Sequence, residues 1–105
     1  MEPIIEIITY NIMNNNIYDA RIKNEFINTI NRINYIDKNI IQYENSLDYV
    51  LLINTLNEEL KFAIDRKKYF SKNLNKDIKY TIKDFFNNRI YLLKKQIKRF
   101  NYKFN

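Results

Sequence analysis

The sequence predicts an all-α fold, a small helical bundle of three long amphipathic helices with a short helix at the N-terminus. Three observations carry that expectation. Among 105 residues there is no glycine and a single proline, Pro3. The chain therefore lacks the residue that supplies left-handed backbone positions in hairpins and bulges, and proline interrupts no long segment. Apolar residues recur at steps of three, four and seven along three long stretches, which is the repeat of one helical face. Only the N-terminal segment also suits a strand, and a strand without a partner would leave its backbone groups unsatisfied.

In chain order, Ile4, Ile5, Ile7, Ile8 and Ile12 fit either a short helix begun by Pro3 or a β-branched strand. The absence of a second strand candidate decides for a helix over residues 3–13. Ile22, Phe26, Ile30, Ile33 and Ile40 place a helix over 17–44, with Asn16 as its N-cap and Asp19 in its first turn near the exposed amides. Val50, Ile53, Leu56, Leu60, Ala63, Ile64 and Phe70 continue the spacing on a different angular track. This implies a break at Asn45 and Ser46, with Ser46 capping a second helix over 46–71 and Asp48 in its first turn. One unbroken helix through this point is the alternative, since neither residue forbids it. A polar stretch rich in Asn and Lys, 71–77, marks the next turn. Ile82, Phe85, Phe86, Leu92, Leu93, Ile97, Phe100 and Phe104 then share one broad arc of a helix over 76–103, which reads as the most strongly amphipathic of the three. The whole chain, 1–105, is expected to form one up-down-up bundle around one core, burying roughly two-thirds of its unfolded surface.

Composition excludes more functions than it suggests. With no His, Cys or Trp, there is neither the usual proton shuttle nor a thiol nucleophile, and no disulfide or Cys/His metal site. Without glycine there is no Walker-type or dinucleotide fingerprint, so no cofactor is expected. Glu58 and Glu59 are adjacent and diverge by about 100° on a helix, so they do not face each other as an acid and base. Glu58 with Lys61, and Asp65 with Lys68, read as ordinary surface pairs at i,i+3. The chain is expected to be non-enzymatic. The aliphatic run Val50 to Ile53 falls far short of the ~20 residues that span a bilayer. The first thirteen residues carry Glu2 and Glu6 but no Lys or Arg, the wrong charge for a secretory leader. A reducing cytoplasm, or the interior of a host cell, suits these features.

Ile, Asn, Lys, Tyr and Phe dominate, and all five have AT-rich codons, a bias that fits a viral, phage, organellar or low-GC bacterial genome. Such a bias raises lysine everywhere, yet the charge is uneven. Residues 1–53 hold four Lys/Arg against seven Asp/Glu, and residues 54–105 hold fourteen against five, so −3 and +9 make up the net +6. On the third helix Lys76, Lys83, Lys94 and Lys98 lie in a narrow arc opposite the apolar face, with Tyr80 and Asn87 in the same arc. Lys79 is the remaining lysine of the first turns. Tyr91 and Tyr102 flank the stripe, and Lys95, Arg99 and Lys103 widen it toward the C-terminus. Lysines along a helix neutralise phosphates, and neighbouring tyrosines stack on unpaired bases. The plain alternative is a solvated face whose cations favour the C-terminal end of the helix dipole. A membrane-surface role would use the same helix, but its phenylalanines are needed for the core of so small a domain.

Asp37, Lys67, Arg89 and Gln96 fall inside apolar arcs. An Asp37–Arg89 pair would fix register, although antiparallel packing of equal helices would set the two at different heights. Otherwise the long stems of Lys67 and Arg89 reach water, or these positions flank a partner chain. Residues 32–41, from Arg32 through Asp37 to Ile41, resemble the first helix of the all-helical chorismate mutases. That likeness covers ten residues of generic amphipathic helix, and 47–53 has no arginine where that family's active site uses one, so membership is not inferred. Two functional classes remain: binding of nucleic acid or a nucleoprotein through the basic third helix, or a protein-only module (inhibitor, adaptor or assembly subunit) docking that face on an acidic partner. Either is compatible with a homodimer.

Overall fold

The computed structural model describes the backbone of residues 20–74 and 76–104, with side chains from 21 to 74 and from 79 to 102. The helix expected over 3–13, the cap at Asn16 and the acidic residue Asp19 lie outside the described residues. Those described form three helices: α1, Ala20–Asn45; α2, Tyr49–Asn73; and α3, Lys76–Phe104. No described residue is in a strand. The contacts between helices run in opposite order along α1 and α2 (Glu25 with Arg66, Arg32 with Glu59) and along α2 and α3 (Tyr49 near Phe100, Phe70 near Phe86). They run in the same order along α1 and α3 (Asp37 with Arg89, Glu44 with Arg99). The connection is therefore up-down-up. α2 is the shared element, packed against both α1 and α3.

The break between α1 and α2 is where the change of angular track places it, but its chemistry differs from the expectation. Asp48, not Ser46, is the N-cap of α2, its carboxylate accepting the Leu51 amide at 3.3 Å. Ser46 instead ends α1 and turns its hydroxyl back onto the Tyr43 carbonyl at 3.4 Å. The Asp48 amide reaches the Tyr43 carbonyl at 3.0 Å and the Leu47 amide reaches that of Glu44 at 3.2 Å. This is the paired pattern of a Schellman motif, whose C′ residue must be left-handed. In a chain without glycine that position falls to Leu47, at φ 61°. The second turn lies inside the polar stretch 71–77, with α2 ending at Asn73 and α3 starting at Lys76.

Ile22, Phe26, Ile30, Ile33 and Ile40 of α1 are all buried, as the spacing requires. Of the three helices it is α1, rather than α3, that separates apolar from polar residues most sharply. An aromatic column ties the helices together: Phe26 of α1 meets Phe70 of α2 edge-on at 5.5 Å, and Phe70 stacks on Phe86 of α3 at 5.9 Å. On α2 the buried stripe is Leu52, Leu56, Glu59, Ala63 and Phe70. Val50 and Ile64, expected in the core, are 75% and 47% exposed, because α2 meets its two neighbours along a line that leaves both on the outer side. Leu92 of α3 is also exposed.

Candidate nucleic-acid interface

The outer face of α3 follows from helix rotation. Tyr80, Asn87, Tyr91, Lys94, Lys98 and Tyr102 fall within about 80° of one another at 100° per residue, with Lys83 and Lys95 at the edges. The core residues Ile82, Phe86, Leu93 and Phe100 lie on the other side. Asn87, Lys94, Lys95 and Lys98 are exposed, and Lys79 and Lys83 are half-buried. Tyr80, Tyr91 and Tyr102 are 65%, 61% and 91% exposed. The backbones of Lys76 and Lys103 continue α3, but their side chains lie outside those described. Among the described residues no ion pair engages Lys79, Lys83, Lys94, Lys95 or Lys98.

Arg99 departs from the expected stripe. Its Nη2 donates to Glu44 of α1 at 3.2 Å, and its guanidinium lies 4.6 Å from the Phe100 ring centroid. It is thus directed toward α1, where it borders, with Lys95, a groove of about 710 Å³ between α1 and α3. The groove floor includes Ile33, Ile40, Phe85 and Leu93, with Ile41 and Leu92 exposed at its lips. Lys94, Lys98 and Tyr102 border a separate shallow furrow toward Asn57 and Leu60 of α2. The basic residues therefore divide between two sides of α3.

Beneath this face lies an ionic network that periodicity only partly anticipates. Arg89 of α3, 13% exposed, donates from Nη2 to Glu59 Oε1 at 3.0 Å and to Asp37 Oδ1 at 3.1 Å, and from Nη1 to Asp37 Oδ2 at 3.4 Å. Glu59, only 1% exposed, also accepts from Arg32 Nη2 of α1 at 3.5 Å. The Asp37–Arg89 pair thus forms. α1 and α3 run parallel, not antiparallel, so the difference in height that antiparallel packing would impose on Asp37 and Arg89 does not arise. Glu59 is the residue that sequence reasoning missed. The signal was its spacing, three after Leu56 and four before Ala63, which puts it in the buried stripe while Glu58 faces solvent.

The other polar positions join no ion pair of this network. Lys67 and Gln96 are half-buried. The expected pairs Glu58–Lys61 and Asp65–Lys68 do not form; Asp65 instead accepts from its neighbour Arg66 at 3.0 Å. Arg66 also reaches Glu25 of α1 at 2.9 Å and stacks over Tyr69, while Arg32 lies over Phe62 at 4.1 Å. Both arginines are thus turned toward the α1–α2 seam. The α3 phenylalanines with described side chains, Phe85, Phe86 and Phe100, are buried, and no described helix is long and apolar enough to cross a membrane. No protein-family model, curated protein or solved structure matches the chain.

Proposed function

We propose that this protein is a small non-enzymatic binding protein that engages nucleic acid, bare or within a nucleoprotein, through the outer face of α3. The observation that carries the reading is the row Lys83, Lys94 and Lys98, on one side of one helix and free of ion pairs among the described residues. Elsewhere the arginines Arg32, Arg66, Arg89 and Arg99 are held by carboxylates. Cations without partners are the ones that release counterions when they meet phosphate.

The test is fluorescence anisotropy of labelled DNA and RNA, single- and double-stranded, at ~50 and ~200 mM salt. Submicromolar binding that falls steeply with salt is the expected outcome. Changing Lys83, Lys94 and Lys98 together to Gln should flatten the log–log salt slope by roughly two to three units, at ~0.7–0.9 for each phosphate that is no longer neutralised. No binding at the lower salt would sink the reading. One observation favours a protein partner instead: the α1–α3 groove exposes Ile41 and Leu92 beside Lys95 and Arg99, an apolar strip with a basic rim suited to an acidic surface. On that reading nucleic acid does not bind, and truncating an aromatic anchor costs a partner complex more than any single lysine does.

A further inference from the structure

We infer that the outer face of α3 is a platform for single-stranded nucleic acid, with Tyr80, Tyr91 and Tyr102 as three stacking rungs; the inference rests on the reading proposed above and narrows it to unpaired bases. The three tyrosines are spaced by eleven residues. Eleven residues make about three turns plus ~20°, so the rings stay on one face, ~16.5 Å apart, over ~33 Å of helix. The cations share that interval. Lys83 and Lys94 each follow a tyrosine by three residues, and Asn87 and Lys98 each follow one by seven. The face is a twice-repeated unit of ring, cation and polar group, closed by Tyr102.

Exposure makes this more than a sequence pattern. Tyrosine rings usually bury most of their large apolar area, yet all three of these stand well out in solvent. None makes an aromatic or hydrogen-bonded contact among the described residues. No aliphatic residue falls in their arc, and lysine, unlike tyrosine, is depleted at protein–protein contacts, so the alternation of cations with rings favours nucleic acid through its lysines. Lysines alone would suit a duplex equally. The rings decide between the two, because a duplex hides its base faces inside the stack and an unpaired strand offers them. At the 3.4 Å spacing of stacked nucleotides, ~33 Å corresponds to roughly ten nucleotides. Asp84, exposed and with no ion pair among the described residues, is the one acidic residue in this arc whose side chain is described, and it opposes the phosphates.

The experiment measures anisotropy with a labelled oligothymidylate of about 20 nucleotides and with a duplex of the same length, both at ~50 mM salt. The expected result is tighter binding of the single strand by about tenfold or more. Tyr91→Ala should weaken the single strand by about 10- to 100-fold and leave the duplex within about twofold, while Tyr91→Phe retains the wild-type preference. Asp84→Asn should tighten both probes. Circular dichroism melts confirm that these exposed substitutions leave the fold intact. Duplex binding as tight as single-strand binding, or a Tyr91→Ala single-strand affinity equal to wild type, overturns the stacking platform while leaving the phosphate-binding reading in place. Failure to bind either probe overturns both.

Discussion

Removing Arg89 should destabilise the bundle far more than removing Arg89 and Glu59 together. Their charged atoms are 3.0 Å apart, with Glu59 1% and Arg89 13% exposed. At an effective dielectric constant of about 20, two unit charges at that distance attract by ~5–6 kcal/mol. Most of this offsets the desolvation of the two ions, which costs several kcal/mol each. The intact pair therefore adds little net stability. Taking away one partner is different, because a buried charge is then left without compensation, at ~3–5 kcal/mol. For Arg89→Met the lower end applies, ~3 kcal/mol, since Arg32 still reaches Glu59 at 3.5 Å and Asp37, half exposed, can rehydrate. Glu59→Met should cost less, ~1–2 kcal/mol, because Arg89 retains Asp37. The double variant, with two apolar side chains of similar length, should lie within ~1 kcal/mol of wild type. Urea denaturation at 25 °C of the four proteins closes a double-mutant cycle with an expected coupling of about 3–5 kcal/mol. A domain of this size has ~5–15 kcal/mol of stability, so each variant still folds. A coupling below ~0.5 kcal/mol, the level of independent sites, would refute the assignment of Glu59 and Arg89 as one buried unit.

Two further outcomes follow from local geometry. Leu47→Gly should raise stability by ~0.5 kcal/mol, because relief of a left-handed leucine, worth about 1–2 kcal/mol, exceeds the entropy cost of glycine; a lower urea midpoint would show that the exposed leucine contributes packing that its exposure does not suggest. Phe70→Ala, which removes the middle ring between Phe26 and Phe86, should cost ~3–5 kcal/mol, against ~1.5 kcal/mol or less for Phe70→Leu if the neighbours repack; equal losses in thermal melts would argue against an aromatic column.

Much of this architecture is legible along the chain because it is local. The apolar spacing of Ile22, Phe26, Ile30, Ile33 and Ile40 shows which side of α1 is buried without reference to any other helix. The change of track near Asn45 marks a break, since two stripes at different angles cannot meet one neighbour along a straight helix. The outward row on α3 is also local, because 100° per residue fixes which side chains share a face wherever the helix packs. Cap identity was less legible: Ser46 and Asp48 are both good capping residues, and the choice depends on Leu47 entering the left-handed region.

What composition and periodicity determined by themselves was a helical chain with three long segments, their apolar sides, and a basic, tyrosine-bearing face on the last. Tertiary structure alone decided where long-range partners meet. It buried Glu59 between Arg32 and Arg89, brought Asp37 within reach of Arg89, turned Arg99 onto Glu44 and left Val50 and Ile64 in solvent. The physical reason is that hydrogen-bonded helix geometry is set within a few residues, whereas the burial of a given side chain depends on the height and rotation at which distant helices pack.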